Sequence, residues 1–280
     1  YHEPMIRGLG VLYIIALFPT LILTDHNFSS NEILLIVLST LLGFADDKYG
    51  ISQIKKILLL AFLIVGMELV STSLSYSSFL EIVFKIVLFL FLTLFFNQID
   101  GINGLAGSTF LLTFCSFLFL INFSISFEVF ISIVILIIIY LNTNLRGKVG
   151  IQGEAGSFFM GAVIFVFVQK YNNSINFIYI IMSVLPILSD VITTTIIRVW
   201  FVKNIFLSHR NHLYQRLVAK NRSHLAVTAT FGVLQILTII FTLYLFNFDY
   251  SQFKLITISI VILIFLMFNF RFSFLIHKER

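Results

Sequence analysis

The chain has 280 residues, of which 59% are hydrophobic and only 11% are charged; its mean hydropathy is +1.03 and its formal net charge is +5. This composition excludes a soluble globular domain and predicts an all-α, polytopic transmembrane helix bundle that forms a single membrane-embedded domain over residues 1–280. The positive charge therefore bears on topology in the lipid bilayer, and we expect no nucleic acid as a partner.

Hydrophobic runs long enough to cross a bilayer predict about ten spans. They cover residues 8–24, 32–45, 56–71, 79–96, 104–122, 127–143, 157–169, 176–197, 225–246 and 254–270. The second and seventh are short for a membrane about 30 Å thick. We expect their polar ends to continue into protein-lined or watery surroundings.

Lys and Arg are distributed unequally between the two sides of the predicted bundle. Because consecutive spans alternate in direction, one set of loops holds 15 of the 18 basic residues, and the opposite loops hold only Lys170 and Lys254. Basic loops are retained in the cytoplasm. The sequence therefore predicts that the first set is cytoplasmic, and every polar motif described below falls on that side.

The first motif stands where the second span ends. Residues 43–50 read Gly-Phe-Ala-Asp-Asp-Lys-Tyr-Gly, so Asp46 and Asp47 leave the membrane side by side. Paired carboxylates can hold a metal or act as a base, and the alternative is a solvated acidic helix end. Lys55 and Lys56 follow at the start of the third span, where they either set topology or bind phosphate.

A second polar segment separates the fourth and fifth spans. Residues 97–107 read Asn-Gln-Ile-Asp-Gly-Ile-Asn-Gly-Leu-Ala-Gly. Two amides and a carboxylate close to lipid are costly unless they meet a cation, a polar ligand or one another. We therefore expect residues of the functional site in this segment. The alternative is a polar loop between two spans.

The loop before the seventh span, residues 146–157, is rich in glycine and carries one acid, Glu154. Such a backbone can wrap a phosphate at a helix N-terminus, with Glu154 placed to ligate a divalent cation. The alternative is a flexible connector in which Glu154 caps the following helix.

The longest hydrophilic stretch, about 201–224, contains Ser-His-Arg-Asn-His-Leu-Tyr-Gln-Arg-Leu over residues 208–217. His209 and His212, in the company of Arg210 and Arg216, suit an anionic diphosphate better than zinc, because neither a cysteine nor a third histidine stands close by. The alternative is an ordinary basic cytoplasmic loop. Asp190, inside the eighth span, is expected to face the bundle interior.

These motifs, in this order along the chain, resemble those of the polyprenyl-phosphate N-acetylhexosamine-1-phosphate transferases. That family, glycosyltransferase family 4, also contains the phospho-MurNAc-pentapeptide translocase of peptidoglycan synthesis. The His-Arg-x-His-x-Tyr-Gln form is similar to that of the branch that initiates O-antigen and other surface glycans. Family members carry one more helix before the segment that resembles residues 2–10, so ten spans here and one further would give the usual eleven.

The resemblance implies an enzyme of the inner membrane with its active site on the cytoplasmic face. Polyprenyl phosphate would attack the β-phosphate of a UDP-N-acetylhexosamine-type sugar and release UMP, with Mg²⁺ as cofactor and Mn²⁺ as the alternative. A homodimer is compatible with this assignment. Rival classes are a catalytically impaired scaffold of the same fold and a secondary transporter; a transporter would place its ionisable residues near the bilayer midplane.

The resemblance also implies site residues. The catalytic acids would be Asp46, which engages the lipid phosphate, Asp47, which shapes the site, and Asp100, which supports the metal; Asn97 and Glu154 would ligate Mg²⁺; Asn103 would approach the uracil; and Lys56, His209, Arg210 and His212 would bind phosphate groups. Two positions depart from the family pattern. Glu154 replaces an Asp, and Gly50 replaces the Lys of the translocase branch, whose role we assign to Lys56.

Overall fold

The computed structural model describes residues 8–15, 28–70, 79–121, 127–145, 152–171, 177–201, 210–246 and, in part, 257–269. Within these ranges every regular element is an α-helix, as the composition predicts. The helices are α1 (residues 11–15), α2 (Ser30–Tyr49), α3 (Gln53–Val70), α4 (Phe79–Ile99), α5 (Leu105–Leu120), α6 (Phe127–Leu145), α7 (Gly153–Lys170), α8 (Phe177–Ser183), α9 (Leu185–Phe201), α10 (Leu213–Ala219) and α11 (His224–Phe246).

Two of the described helices are long and apolar enough to cross a membrane, namely α4 and the part of α11 that runs from His224 to Leu245. The pair α8 and α9 forms a third candidate span, and α5 and α6 contribute shorter apolar helices. These helices make the chain a membrane protein. The full number of about ten spans stays a prediction.

The predicted eighth span, 176–197, is not one straight helix. The axes of α8 and α9 differ by 86° across a break at Val184. Pro186 has no N–H with which to continue the helical ladder, and the N–H groups of Ile187 and Leu188 instead donate to the carbonyl of Val184 at 3.1 and 2.9 Å. The apolar composition predicted the location of this segment correctly, but it did not reveal the break.

The described chain divides into two compact units. The first comprises Tyr1–Asp100 and Leu118–Ser174, and the second comprises Gly101–Phe117 and Ile175–Arg280. In the first unit, α7 packs along α2 and α4 and is buried from Ala155 to Val168.

Close helix contacts in the first unit depend on glycines. A Cβ at Gly161 would lie 2.5 Å from the Cα of Thr93 on α4, and a Cβ at Gly43 on α2 would lie 2.5 Å from the carbonyl oxygen of Glu154. Small residues let helix backbones approach in apolar surroundings, where van der Waals packing drives association. The N-terminal turn of α7 is thereby held directly against α2.

In the second unit, α11 packs against α8, α9 and α10. Met182, Leu185, Leu245 and Ile258 form a buried apolar cluster. The buried amide of Gln235 on α11 donates to the carbonyl of Thr109 at 3.2 Å and to the hydroxyl of Thr113 at 3.1 Å, which joins α11 to α5. This hydrogen bonding fixes α5 beside α11 and so positions the loop that precedes α5.

Candidate active site

Lys56 is the centre of a polar cluster in the first unit. Its ammonium group donates to Asp46 Oδ2 at 2.7 Å and to Glu154 Oε1 and Oε2 at 2.9 and 2.8 Å. Lys56 and Asp46 are only 3% and 6% exposed. Buried charges of this kind persist only when they are paired and hydrogen-bonded. We call Asp46, Asp47, Lys56, Asp100 and Glu154 the carboxylate cluster.

The end of α2 is shaped to present Asp46. Gly50 adopts a left-handed conformation (φ 67°) and its N–H donates to the Asp46 carbonyl at 2.8 Å, which terminates the helix. The N–H of Ile51 then donates to Asp46 Oδ1 at 2.5 Å. Gly50 therefore ends α2 beside Asp46, and Lys56 supplies a cation to this carboxylate.

Asp47 caps the N-terminus of α7. Its two carboxylate oxygens accept from the N–H groups of Glu154 at 3.0 Å and Ala155 at 3.1 Å. Gly153 has a positive φ of 69°, and a Cβ there would overlap the Asp47 carboxylate. A helix N-terminus favours a negative charge because its first N–H groups lack intrahelical partners. The capping acid is thus Asp47, which leaves Glu154 directed to Lys56.

Asp46 and Glu154 differ in their protonation equilibria. Burial raises the pKa of Asp46, but hydrogen bonds with Glu154 and Lys56 outweigh it and leave the pKa below its ordinary value. Burial, followed by the contact with Asp46, raises the pKa of Glu154 to about 7, although Lys56 opposes the rise. One proton near neutrality therefore belongs to Glu154, and Asp46 stays ionised.

Asp100 belongs to the same cluster. Burial of its carboxyl group raises its pKa well above the ordinary value; the Gln152 side chain opposes this rise, and the negative charges of Asp47 and Glu154 add to it. Gln152 is fully buried and also accepts from the Tyr13 hydroxyl at 3.2 Å. Asp100 and Glu154 each lie about two helical turns from the close contact between Thr93 and Gly161. Asn97 lies in the last turn of α4, partly buried.

The second unit contains a different polar centre around Asp190. This residue of α9 is fully buried, and its Oδ1 accepts from the N–H of Leu213 at 2.9 Å and from Thr194 Oγ1 at 3.2 Å. Asp190 thus binds the start of α10, which carries the second half of residues 208–217, the segment that we call the histidine motif. The expectation that Asp190 is an interior residue is met, and its role is to anchor this motif.

His212 stands at the N-cap of α10 and is 2% exposed. Its Nδ1 lies 4.0 Å from Asp190 Oδ2, and its ring stacks parallel to Tyr214 with centroids 5.2 Å apart. Its N–H donates to Gln215 Oε1 at 3.3 Å. Arg210 is exposed. His209, Arg146 and Lys148 lie outside the described residues.

Asn103 is held through its backbone. Its N–H donates to His224 Nδ1 at 3.1 Å, and its carbonyl accepts from Thr228 Oγ1 at 2.9 Å. Two residues earlier, Gly101 packs so closely on Gln215 and Tyr214 that a Cβ would overlap the Gln215 amide. The loop before α5 is therefore clamped between α10 and the first turns of α11.

A comparison with models of protein families identifies the family of the chain that carries these residues. The profile of glycosyl transferase family 4 matches residues 32–172, just over half of the chain. The chain belongs to glycosyl transferase family 4. A search of the curated proteins finds no match.

The segment that matches family 4 contains most of the site residues predicted from the sequence. The matched segment includes Asp46, Asp47, Lys56, Asn97, Asp100, Asn103 and Glu154, and the histidine motif follows it. Four of these, Asp46, Asp47, Lys56 and Glu154, are brought into direct contact within the first unit. The alternative of a solvated acidic helix end is wrong for Asp46, which is buried.

The carboxylate cluster offers the oxygen ligands that Mg²⁺ prefers. Among the described residues, no three Asp, Glu, His or Cys side chains are arranged as a metal shell, and the Lys56 ammonium lies between Asp46 and Glu154. Burial and neighbouring carboxylates raise the pKa values of Asp100 and Glu154, and a divalent cation would offset both effects. The cluster matches Mg²⁺ in the type of its donors, but a metal between Asp46 and Glu154 would require the Lys56 ammonium to move aside.

Three positioning residues escaped the sequence analysis, namely Gln152, His224 and Thr228. Gln152 lies among the glycines of its loop, two residues before Glu154, so its polar amide could have been included among the candidate site residues. His224 and Thr228 are one turn apart at the start of an apolar helix, which gives them a common face. They bind the backbone of Asn103, which is distant in sequence, so no local pattern predicts this contact.

Proposed function

We propose that this family 4 chain transfers an N-acetylhexosamine-type sugar-1-phosphate from a UDP-sugar to polyprenyl phosphate, such as undecaprenyl phosphate, and releases UMP. The observation that carries the proposal is the buried carboxylate cluster with Lys56 at its centre, inside the segment that matches the family. The reaction would be the first membrane step of surface-glycan or cell-wall synthesis. The form of the histidine motif favours the O-antigen and surface-glycan branch.

In the proposed reaction an oxygen of the lipid phosphate bonds to the β-phosphorus of the UDP-sugar. The bond from that phosphorus to the oxygen bridging the two phosphates breaks, and its electron pair leaves with UMP. Asp46 is assigned to engage the acceptor: its lowered pKa keeps it ionised, and an ionised carboxylate can accept a hydrogen bond from a protonated lipid phosphate. Lys56 offsets the negative charge that two phosphates would bring to this site.

Mg²⁺, when bound, would neutralise phosphate oxygens and favour departure of UMP. Glu154 and Asn97 would hold it, with Asp100 beside them. Asp47 keeps the first turn of α7 in place and so orients Glu154. The longer side chain of Glu, where the family has Asp, changes the reach of this ligand, and octahedral coordination is sensitive to such a change.

The UDP-sugar is assigned to the residues of the second unit. Asn103 would approach the uracil, and His209, Arg210 and His212 would bind the diphosphate. Asp190 supports this role indirectly, because its hydrogen bond to Leu213 fixes the start of α10 and its carboxylate lies beside the His212 ring. A rigidly held start of α10 would place the side chains of this segment on a diphosphate at little entropic cost.

A catalytically impaired scaffold is the principal rival, and a secondary transporter is the lesser one. The broken helix at Val184 is a transporter-like feature, since interrupted helices often bind substrate. Here, however, the nearby acid Asp190 binds the start of α10. This engagement favours a structural role for Asp190 over a transport site.

Release of UMP by the purified full-length protein tests the proposal. With Mg²⁺, undecaprenyl phosphate and a panel of UDP-sugars, we expect UMP from at least one UDP-N-acetylhexosamine and none without the lipid. Asp46→Asn should abolish release, whereas Lys55→Ala, which alters an exposed lysine near the cluster, should not. Lipid-independent release, or no release with any sugar, would favour a rival class.

A further inference from the structure

A polar cavity lies in the first unit, at the opposite ends of the helices that carry the carboxylate cluster. It has a volume of about 360 Å³ and is bounded by the start of α2, the end of α3, the start of α4 and the end of α7. Its charged lining residues are Glu32, Glu68, Glu81, Lys85 and Lys170. The size is within the range of about 300–1,000 Å³ that small-molecule sites occupy.

One wall of this cavity carries more negative than positive charge. Lys85 Nζ lies 3.0 Å from Glu68 Oε1 and 3.3 Å from Glu81 Oε1, so one ammonium group serves two carboxylates. The Glu81 side chain is 50% exposed, and those of Lys85 and Glu68 are 18% and 20% exposed. This wall therefore suits a cationic group with several N–H donors.

Another wall presents a cation. Lys170, at the end of α7, is exposed, and its ammonium group lies over the Phe28 ring, 5.2 Å from the centroid. Glu32 nearby is engaged in the capping box of α2, where it accepts from the N–H of Ser29 at 2.7 Å. Lys170 is thus the group on this side that can meet an anion.

Exposed apolar side chains next to the cavity residues favour a ligand that is attached to a lipid. Exposed apolar residues adjoin its lining residues in sequence: Leu80 (75% exposed) precedes Glu81, Phe79 (79% exposed) precedes Leu80, and Leu69 (62% exposed) follows Glu68. Large apolar side chains exposed on a membrane protein face acyl chains. A ligand that extends from the cavity over these side chains would have an apolar tail.

We propose that this cavity binds the zwitterionic phosphoethanolamine headgroup of a phospholipid. The primary ammonium donates to the Glu68 and Glu81 carboxylates, and the phosphate lies against Lys170. A choline headgroup has no N–H donors and cannot replace these hydrogen bonds. Lys85 neutralises one of the two carboxylate charges of Glu68 and Glu81, so the remaining single negative charge suits one ammonium group better than a divalent cation. The site is independent of the transferase reaction proposed above.

Lipid binding to the purified full-length protein in detergent tests this inference. Phosphatidylethanolamine should raise the thermal midpoint and bind at least about fivefold more tightly than phosphatidylcholine with the same acyl chains. Soluble glycerophosphoethanolamine should compete, which separates headgroup recognition from binding of the tails. Equal binding of both lipids, or no competition by the soluble headgroup, would overturn the assignment.

Variants locate the site. Glu81→Gln and Lys170→Gln alter exposed groups, so both should fold; each should weaken phosphatidylethanolamine binding about fivefold or more. Lys55→Ala, at the other end of α3, is the matched control and should bind normally. Unchanged binding by both cavity variants would place the lipid elsewhere. Protection by Ca²⁺ that EDTA reverses, in place of protection by the lipid, would make the cavity a cation site.

Discussion

Lys56 illustrates how a single buried charge organises the carboxylate cluster. Its ammonium group contacts two carboxylates at 2.7 to 2.9 Å while only 3% of the residue is exposed. Without it, Asp46 and Glu154 would face each other in a poorly solvated site. Removing one partner of a buried ion pair leaves the other charge uncompensated, and this commonly costs about 3 to 5 kcal/mol.

Lys56→Met should therefore destabilise the protein by about 3 kcal/mol, since it keeps the bulk of the side chain and removes the charge. The midpoint of unfolding in detergent, by heat or denaturant, measures the loss. Lys55→Met is the control, because Lys55 is exposed on the same turn and its replacement should change stability by no more than about 0.5 kcal/mol. Equal effects of the two changes would contradict the assignment of Lys56 as the central cation.

Glu154 gives a second prediction at this scale. Glu154→Gln keeps the shape of the side chain but removes its negative charge, so transfer at saturating Mg²⁺ should fall about 10- to 100-fold. Glu154→Asp restores the residue typical of the family and should retain activity or raise it. UMP release as a function of Mg²⁺ concentration is the measurement. A Glu154→Gln protein with normal turnover at low Mg²⁺ would remove Glu154 from the metal site.

His212 is buried as well as close to Asp190, which adds a structural role to its proposed contact with the diphosphate. We expect His212→Ala to weaken UDP-sugar binding and turnover at least about tenfold, and to change binding of the lipid phosphate little. Separate binding measurements for the two substrates check this. Lys220→Ala, at the exposed C-cap of α10, is the control. Loss of lipid-phosphate binding alone would move the histidine to the acceptor side.

At the scale of elements, α7 packs against both α2 and α4 and is the central helix of the first unit. Its first turn is capped by Asp47, is packed against Gly43 and carries Glu154. The sequence predicted a helix after a glycine-rich loop and left open whether Glu154 was a ligand or a cap. That ambiguity could not be resolved locally, because the capping residue is more than a hundred positions away and belongs to α2.

Gly153→Ala tests the start of α7. A Cβ at this position would overlap the Asp47 carboxylate, and the positive φ of 69° alone costs a non-glycine residue about 1–2 kcal/mol. We expect a loss of at least about 2 kcal/mol in unfolding free energy together with loss of transfer activity. Gly66→Ala on α3 is the matched control, since an added Cβ meets nothing within 4 Å and alanine favours a helix by up to about 1 kcal/mol. A neutral Gly153→Ala would mean that Asp47 does not cap α7.

The predicted spans and the described helices agree best where the chain is apolar and uninterrupted. The runs that begin at residues 79 and 225 coincide with α4 and α11, because span length alone identifies such segments. The break at Val184 was missed because the composition stays apolar through it. The motif residues were recognisable from their types and order, but contacts such as that between Lys56 and Glu154 depend on tertiary packing and could not be inferred from spacing.

At the scale of the whole molecule, the two units carry different chemistry. The first holds the carboxylate cluster, to which we assign Mg²⁺ and the acceptor phosphate in the proposed function. The second holds Asn103, Asp190 and the histidine motif, to which we assign the UDP-sugar in the proposed function. Each polar group is stabilised within its own unit by buried hydrogen bonds, which is the condition for keeping charged residues in a largely apolar protein.

Both groups are expected on the cytoplasmic side of the membrane, since the loops of that side hold 15 of the 18 basic residues. Cysteine labelling of intact cells tests this orientation. In a Cys115→Ser background, which removes the native thiol, Arg222→Cys should resist an impermeant thiol reagent until the membrane is permeabilised. Arg222 is exposed just before α11, so failure to react cannot be ascribed to burial in the protein. Asn172→Cys, in the loop predicted on the opposite side, should react with intact cells.

Labelling of Arg222→Cys from outside, with Asn172→Cys protected, would invert the topology. A cytoplasmic nucleotide sugar could then not reach the histidine motif, and the proposed transferase reaction would fail with it.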